Sequence, residues 1–390
     1  MSALSVAFLI LAIVGHLVLV RASLGYGYSF GLRHRGFLLM ILGHALVGIA
    51  GPAMILSLVG FNGPKVLRGG DWSNVALPWM IYLFACAVSV PVGALVIAWR
   101  AWHAVPDVLR SNDVKTHDAV AELGRVPAPH GTLAGRVVRL PGNECFRLDV
   151  TTLQVTIPRL PAMLDGLTII HLTDLHFAGT PDRGFYEWAM DLCAAERPDL
   201  IGLSGDIADK LELLDWLATT LGKLDAPLGR YFILGNHDVD AGAAPIREAM
   251  EKIGWTWVGQ RCAVTVRGEH HIVIGGHEGP WGTRPPECDV AEFEHAALRV
   301  ALCHAPHEVR WARANRFDLT LAGHLHGGQI RFPFVGPIIG GRLACGLFHL
   351  RPTVLHVGRG LGELAPLRYG CRPEVTKLVL RAAPAHALAV

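Results

Sequence analysis

LTIIHLTDLHFAGT spans residues Leu167–Thr180 and joins a short apolar run to two polar side chains. The run contains Ile169 and Ile170 and predicts a buried β-strand. Asp174 and His176 follow it two positions apart, so extended backbone would place both side chains on the same side. The stretch therefore predicts a strand that delivers metal-binding groups at its carboxyl end.

Three later stretches repeat this plan of an apolar run followed by a polar cluster. They are LIGLSGDIAD, YFILGNHD and LTLAGHLHGGQ, whose polar groups are Asp206, Asp209, Asn236, His237, Asp238, His324 and His326. His304 ends a further strand-like run, RVALCH. In open α/β sheets, ligands gather outside the carboxyl ends of the strands. We therefore expect these residues to form one metal site at the edge of a sheet.

The candidate metal ligands are too many for one tetrahedral ion. They are Asp174, His176, Asp206, Asn236, His304, His324 and His326. Mixed imidazole, carboxylate and amide-oxygen donors suit manganese, iron or zinc better than magnesium or calcium. The set suits two divalent ions that share one carboxylate. Paired ions of this kind hydrolyse phosphate esters because they lower the pKa of a bridging water and neutralise charge on the phosphoryl oxygens.

The pattern after residue 167 predicts the fold class. Strand-like runs first alternate with helical patterns at Phe185–Glu196, Leu211–Leu224 and Pro245–Ile253, which favours an α/β layered domain. After Trp255 the chain changes to short β-like runs, which predict a second sheet. The expected architecture is a two-sheet α/β/β/α sandwich.

Composition indicates that membrane segments precede this sandwich. The 390 residues are 51% apolar and 17% charged, and the mean hydropathy is +0.36. Three segments, Ala3–Val20, Phe37–Val59 and Leu77–Trp99, contain no Asp, Glu, Lys or Arg and are long enough to cross a bilayer. Any one of these segments could instead be a buried core helix. This alternative explains all three segments together much less well. We therefore expect about three transmembrane helices.

Basic residues predict the orientation of these helices. Those of the first loop and of the segment after the third span are Arg21, Arg33, Arg35, Arg100, Arg110 and Lys115. The second loop has only Lys65 and Arg68, with Asp71 beside them. Because positively charged loops tend to stay in the cytoplasm, the C-terminal portion is predicted to be cytoplasmic. The chain is thus expected to be a multi-pass protein of the inner membrane.

Charge and cysteine content exclude some functional classes. The formal net charge is +2, and no basic stripe or run of stacking aromatics is visible, so we expect no nucleic-acid partner. The eight cysteines are scattered and contain no CxxC pair. This spacing predicts free thiols rather than a disulfide framework or a structural zinc site.

The polar clusters resemble the sequence blocks of the calcineurin-like metallophosphoesterases, over about Leu167 to Leu380. The family blocks DxH, GDxxD, GNH(D/E), a lone His and GHxH are matched in order and spacing by Asp174–His176, Gly205–Asp209, Gly235–Asp238, His304 and Gly323–His326. A single motif would be a weak signal, whereas five in order are a strong one. The stretch around Cys371–Glu374 is similar to a membrane-associated bacterial branch of the family.

The resemblance implies a role for each ligand. One metal would be held by Asp174, His176 and His326, the second by Asn236, His304 and His324, and Asp206 would bridge them. A metal-bridging hydroxide would attack phosphorus. His237 would not be a ligand and would instead assist the leaving group. Asp209 would hold His237 in one tautomer, as a general acid requires.

Four regions follow from the pattern and the resemblance together. Residues 1–102 are the transmembrane region, and residues 103–160 are a connector with a lead-in β-hairpin that turns at Pro141–Asn143. Residues 161–382 are the metallophosphoesterase catalytic domain, and residues 383–390 are a frayed tail.

Several residues near these blocks have open roles. Arg359 and Arg368 are candidates for contact with substrate phosphate, although a solvated surface arginine is the commoner case. His277 and Glu278 stand where the family resemblance leads us to expect a Gly-Asp type pair. They would either add a polar group near the pocket or serve a structural role.

The substrate is expected to be a phosphoester. Because the membrane bilayer is the expected partner, a lipid-linked phosphoester or diphosphate is the preferred substrate class. Trp281–Pro286 and Phe332–Pro337 could form a rim for acyl chains, or could be ordinary loops. One alternative is a phosphodiesterase acting on a soluble nucleotide or cyclic nucleotide. Another, from a different class, is a non-catalytic membrane scaffold or sensor.

Overall fold

The computed structural model describes residues 2–27, 34–102, 105–282, 293–332, 336–337, 341–363 and 365–383. The chain divides into two compact units, Met1–Val105 and Pro106–Val390. Each unit has its own apolar clusters.

The first unit consists of long apolar helices. They are α1 (Ala3–Gly27), α2 (His34–Met54), which continues as a π-helix (Ile55–Phe61), and α3 (Leu77–Trp102). Among the described residues, the stretches long and apolar enough to cross a membrane are Ala3–Gly27, Leu38–Phe61 and Leu77–Trp99. Their inward faces share a cluster that includes Leu9, Ile55 and Leu83. Leu39 and Ile49 remain 70% and 76% exposed, and such an outward apolar surface suits membrane association.

The second unit is built from strands and shorter helices. Its helices are α4 (Ala119–Leu123), α5 (Leu133–Val137), α6 (Arg183–Ala195), α7 (Asn236–Lys252) and α8 (Val309–Ala314). Its strands are β1 (Leu109–Asp118), β2 (Arg147–Ile157), β3 (Thr168–Leu172), β4 (Leu200–Leu203), β5 (Arg230–Phe232), β6 (Thr256–Trp257), β7 (Ala263–Arg267), β8 (His270–His277), β9 (Leu298–Cys303), β10 (Leu319–Ala322), β11 (Arg331–Phe332), β12 (Gly336–Pro337), β13 (Gly346–Leu350), β14 (Thr353–Val357) and β15 (Glu374–Ala382).

Two mixed sheets organise this unit. The seven-stranded sheet has the order β1-β2-β15-β3-β4-β5-β6, and the six-stranded sheet has the order β13-β14-β10-β9-β8-β7. Strands β3 to β6 run parallel to one another, as do β8, β9, β10 and β14. The carboxyl ends of these parallel strands therefore lie along one edge of each sheet.

Apolar layers hold the sheets and helices together. One layer contains side chains of both sheets, including Ile169, Leu302 and Leu378. Another contains residues of the first sheet and its helices, such as Phe185 of α6, and a third joins the second sheet to α8 through Ala312. This arrangement confirms the predicted two-sheet α/β/β/α sandwich.

Local capping explains where the helix α6 begins. The Asp182 side chain accepts a hydrogen bond from the Phe185 backbone N–H, which satisfies one free donor of the first turn. The buried positions Phe185, Ala189 and Met190 then recur at helical spacing and face the sheet.

The connector differs from its expected form. The predicted turn at Pro141–Asn143 lies between α5 and β2, and β2 pairs with β1 rather than with residues 135–140. The prediction of a β-hairpin that turns at Pro141–Asn143 is therefore wrong. The Thr132 side chain caps α5 by accepting from the Gly135 N–H, and this helical turn competes with a strand there. The domain boundaries at 102, 160 and 382 stay a prediction.

Two further expectations need correction. Leu211–Leu224 forms two 3₁₀ helices, Leu211–Ala218 and Leu221–Lys223, in place of one α-helix. Described cysteines with free thiols are Cys86, Cys145, Cys193, Cys303, Cys345 and Cys371. Cys262 is disulfide-bonded, so the expectation of free thiols is wrong at this position. A disulfide requires only proximity in space, which local cysteine spacing does not report.

Candidate metal centre

All the predicted ligands follow strands of the two sheets. Asp174 and His176 come after β3, and Asp206 comes after β4. Asn236 is the first residue of α7, after β5. His304 follows β9, and His324 and His326 follow β10. Both sheets thus contribute side chains to one site.

The polar atoms fall into two neighbouring groups. Asp174, His176 and His326 have ligand atoms within 4.8 Å of one another, and so do Asp206, His304 and His324. The His176 and His326 Nε2 atoms are 3.2 Å apart, and Asn236 Oδ1 lies 3.0 Å from His304 Nε2.

Asp206 belongs to the second group and also approaches the first. Its Oδ2 atom is 3.5 Å from His176 Nε2 and 3.2 Å from His304 Nε2. The same carboxylate oxygen therefore faces an imidazole of each group. Its other oxygen, Oδ1, accepts a hydrogen bond of 2.9 Å from the His237 backbone N–H.

Histidine tautomers show that these residues fit divalent cations. His304 Nδ1 lies 2.8 Å from the Ser204 carbonyl oxygen, which can only accept, so Nδ1 carries the proton. His176 Nδ1 likewise donates to Asp209 Oδ2 at 2.9 Å. When each ring is neutral, as metal binding requires, its Nε2 lone pair faces Asp206. Lone pairs and carboxylate oxygens that converge without donors are stabilised by a metal cation.

Without a cation, protons compensate part of this charge. Burial lowers the pKa of His304, but the Asp206 carboxylate outweighs burial and the net pKa is about 9. Burial and the neighbouring His176 hold the pKa of His326 well below its usual value. In the metal-free site, an imidazole such as that of His304 therefore carries a proton that a bound metal would replace.

The backbone of the ligands is strained. Non-glycine ligands with φ between 46° and 71° are Asp174, His176, Asp206, His324 and His326. Left-handed φ is uncommon outside glycine and is retained where surrounding structure enforces it. The extended backbone expected across Asp174–His176 is therefore wrong. The Asp174 and His176 N–H groups donate to the Gly205 and Asp206 carbonyls at 3.0 Å, which fixes this turn.

Glycine is required beside two ligands because the backbone approaches them closely. A Cβ atom on Gly235 would lie 2.1 Å from Asp206 Oδ1. A Cβ atom on Gly323 would lie 1.8 Å from Thr173 Oγ1 and 2.4 Å from Asp174 Oδ2. Neither contact is compatible with a side chain at these positions.

His237 lies next to both groups and shares a carboxylate with His176. Asp209 Oδ1 is 2.7 Å from His237 Nδ1, while Asp209 Oδ2 accepts from His176. The His237 side chain is 21% exposed, against 2% for His176. Burial lowers the pKa of His237, but Asp206 and Asp209 raise it to about 9 overall.

The geometry agrees with comparisons to known proteins. The family model described as calcineurin-like phosphoesterase matches residues 167–328. Over 223 residues the chain is 30% identical to phosphodiesterase YaeI of Escherichia coli. The matched region covers 54% of this chain and 81% of YaeI. This chain is a calcineurin-like phosphoesterase. It is therefore a hydrolase that acts on phosphoester bonds.

Other relatives of this phosphoesterase include an uncharacterized bacterial protein and a transmembrane protein. It is 28% identical to the uncharacterized metallophosphoesterase YkuE of Bacillus subtilis, over 61% of this chain and 87% of YkuE. It is 26% identical to the transmembrane protein with metallophosphoesterase domain of Bos taurus, over 77% of this chain and 71% of that protein.

Glu278 and His277 of the phosphoesterase make structural contacts. Glu278 Oε1 accepts from the Leu234 backbone N–H at 2.8 Å and from Trp257 Nε1 at 2.7 Å. It thereby supports the turn that carries Asn236. His277 Nδ1 accepts from the Gly279 N–H, and its Nε2 atom lies 3.3 Å from Glu308. These contacts favour the structural alternative for both residues.

Arg359 and Arg368 form ion pairs inside the protein and are not solvated surface arginines. None of their described contacts indicates binding of substrate. Arg359 pairs with Glu374 and Asp149 at 3.0 Å. Arg368 is fully buried, pairs with Glu363 and donates to backbone carbonyls of the loop after β14. The sequence carried no signal for the ion pairs of Arg359 because Asp149 and Glu374 lie on other elements, β2 and β15.

The two rim segments are only partly described. Residues 283–286 and 333–335 lie outside the described residues, so the acyl-chain rim stays a prediction. Trp281 is described, and its ring centroid lies 4.6 Å from that of His324. Phe332 is described as well and is 54% exposed.

Proposed function

We propose that this phosphoesterase is anchored in the membrane and hydrolyses a lipid-linked phosphoester or diphosphate with two divalent ions. The position of Asp206 between the two groups of imidazoles is the observation that supports a dinuclear site. Asp174, His176 and His326 would hold one ion. Asn236, His304 and His324 would hold the other, and Asp206 would contact both.

The donor set fits manganese, iron or zinc. Two bound ions would activate water and neutralise charge on the phosphoryl oxygens. The chain itself provides the remaining groups. Asp209 fixes the His237 imidazole through Nδ1, and His237 Nε2 would protonate the leaving oxygen. In the metal-free protein, Asp206 and Asp209 raise the pKa of His237 to about 9.

The apolar helices support a lipid substrate. Three stretches of the described chain could span a bilayer, and the second compact unit begins at Pro106, soon after the third stretch. A short tether would keep the site near lipid headgroups and raise their effective concentration. The relative in Bos taurus, named as a transmembrane protein with a metallophosphoesterase domain, shares 26% identity with the chain.

We further propose an inner-membrane, multi-pass topology with a cytoplasmic catalytic unit, from the basic residues of the first loop. A reporter fused after Val390 tests this orientation. Activity of a reporter that functions only outside the cytoplasm would reverse the proposal.

A substrate screen tests the proposed activity. The full chain is purified in detergent, loaded with manganese, and assayed against phosphomonoesters, phosphodiesters and lipid-linked diphosphates, with and without added lipid. The fastest turnover is expected for a lipid-linked substrate. An Asp206→Asn variant controls for contaminating enzymes. Nucleotide diesters that turn over far faster under both conditions would sink the lipid proposal while leaving the dinuclear site intact.

A soluble nucleotide or cyclic-nucleotide phosphodiesterase is the second candidate. The 30% identity to the phosphodiesterase YaeI favours diester chemistry without specifying the alcohol. The same screen separates the two candidates. Bound metal without turnover on any phosphoester would instead favour a membrane scaffold or sensor.

A further inference from the structure

Trp281 forms a wall of the metal centre and is not among its proposed ligands. Its ring centroid lies 4.6 Å from that of His324 and 5.6 Å from that of His304. The residue follows β8 in a turn in which the Gly282 N–H donates to the Glu278 carbonyl at 2.9 Å. Glu278 is itself held by Leu234 and Trp257, so the turn is anchored to the protein interior.

The indole nitrogen of Trp281 is buried and has no hydrogen-bond partner among the described residues. Buried Trp N–H groups normally find a partner, because an unmade hydrogen bond inside a protein is unfavourable. The N–H group only donates and has no lone pair for a metal. Since no described residue supplies an acceptor, an oxygen of substrate or solvent can take that place.

We infer that Trp281 binds substrate, with its indole N–H donating a hydrogen bond to a phosphoryl oxygen beside His304 and His324. The inference rests on the proposed phosphoester hydrolysis at this site. A phosphoryl oxygen is the acceptor that this reaction brings to the imidazoles under the ring. A hydrogen bond to a charged acceptor is stronger than one to water, so it favours substrate over solvent.

Trp281→Phe tests the contact because phenylalanine keeps an aromatic ring and removes only the N–H donor. Trp188→Phe is the matched control, since its indole Nε1 donates to Glu122 Oε2 at 2.8 Å on the outside of α6. Both variants are made in the full chain, purified in detergent and loaded with manganese. The probe is inorganic phosphate, and its Kd is measured by calorimetry.

Phosphate is expected to bind Trp281→Phe about 10- to 100-fold more weakly than the original chain, the range for one hydrogen bond to a charged group. Trp188→Phe is expected to keep the original Kd. Both variants are expected to keep the original manganese content. KM should rise in Trp281→Phe by a similar factor.

A second measurement does not depend on a variant folding well. With ¹⁵N-labelled tryptophan, the indole N–H resonance that is absent from Trp281→Phe should shift when phosphate is added to the zinc-loaded original chain. Zinc is used because it is diamagnetic, whereas manganese would broaden a resonance this close to the metal. An unshifted resonance, or an unchanged phosphate Kd in Trp281→Phe, would overturn the inference. Loss of manganese from Trp281→Phe would also overturn the inference. It would show that the Trp281 side chain is required for the structure of the metal centre.

The outcomes separate this inference from the function on which it rests. If the original chain binds manganese and hydrolyses phosphoesters while Trp281→Phe behaves identically, only the role of Trp281 fails. If the original chain neither binds manganese nor hydrolyses any phosphoester, the proposed function fails first, and the substrate contact fails with it.

Discussion

At the residue scale, the carboxylate of Asp209 holds two imidazoles with different proposed tasks. One oxygen accepts from His176, a proposed ligand, and the other lies 2.7 Å from His237, the proposed acid. A carboxylate that orients a metal-bound histidine also tunes metal affinity. Asp209 therefore links the metal group to the acid, a role that motif spacing does not reveal.

Variants of His237 and Asp209 should separate acid catalysis from metal binding. His237→Ala is expected to keep both metals and lose about 10²- to 10⁴-fold in kcat, the usual range for a general acid. Asp209→Ala is expected to lose kcat and also bind metal about 10- to 100-fold more weakly. Metal analysis with steady-state kinetics checks both. Metal loss from His237→Ala would mean that His237 is a ligand.

Metal affinity should rise with pH. The pKa of His304 in the metal-free protein is about 9, so this ring is protonated at neutral pH. Because a metal binds only the neutral imidazole, manganese must displace that proton. Apparent affinity is expected to increase from about pH 7 to pH 9, and calorimetry in buffers of different ionisation enthalpy should detect released protons. A manganese affinity that does not change with pH would contradict the assignment of His304 as a metal ligand that must lose its proton.

At the element scale, a buried aspartate fastens two of the ligand-bearing turns together. Asp238, at the start of α7, accepts from the Gly235 N–H at 2.8 Å. Its other oxygen accepts from the N–H groups of Ile207 and Ala208, in the loop after β4. The turn with Asn236 and the turn with Asp206 are thereby fixed relative to one another.

Asp238→Ala should weaken both the fold and the site. It leaves three buried N–H donors without their acceptor, which we estimate costs on the order of 3 kcal/mol. Asp240→Ala, an exposed position on the same helix, serves as the control. Thermal unfolding of the metal-free chain should show a midpoint about 5–10 °C lower for Asp238→Ala. Equal midpoints in the two variants would show that Asp238 is dispensable.

Glu374 of β15 should stabilise the fold above acid pH. Burial raises its pKa, but Arg359 outweighs burial and lowers the net pKa to about 2. A lowered carboxyl pKa contributes stability that is complete above its unfolded value of 4.5 and is lost as pH falls through about 2. The stability difference between the original metal-free chain and Arg359→Met should therefore shrink between these pH values. Denaturant titrations across this window check the trend, and a constant difference would refute it.

At the scale of the whole molecule, the last strand closes the first sheet. β15 lies between β2 and β3, parallel to the former and antiparallel to the latter. Its residues Val375, Leu378 and Leu380 are fully buried. Residues more than two hundred positions apart in the sequence therefore complete one apolar layer.

Removal of this strand should unfold the catalytic unit. A chain that stops before Glu374 loses the central β15 ladder and leaves the edges of β2 and β3 unpaired. It is expected to aggregate or bind no manganese. A chain that stops after Ala383 keeps β15 and should retain full metal content. Solubility and metal analysis check both, and a folded short chain would show that β15 is not required.

Local sequence was sufficient for the fold class, the apolar helices and the ligand blocks. An apolar run followed by Asp, Asn or His is a local pattern, and the carboxyl ends of parallel strands bring such patterns together. Apolar stretches long enough to span a bilayer can also be recognised from the sequence without knowing their tertiary contacts. The order of the blocks around Asp174, Asp206, Asn236 and His326 therefore predicted which residues would meet.

Long-range contacts decided what the pattern left open. The left-handed backbone at Asp174 and His176, the burial of Arg368 and the unpaired indole of Trp281 depend on neighbours from other strands and loops. The hairpin placement around Pro141 and the disulfide at Cys262 were missed for the same reason. Proximity in space sets backbone strain, ion pairing and unsatisfied donors, and no local spacing encodes it.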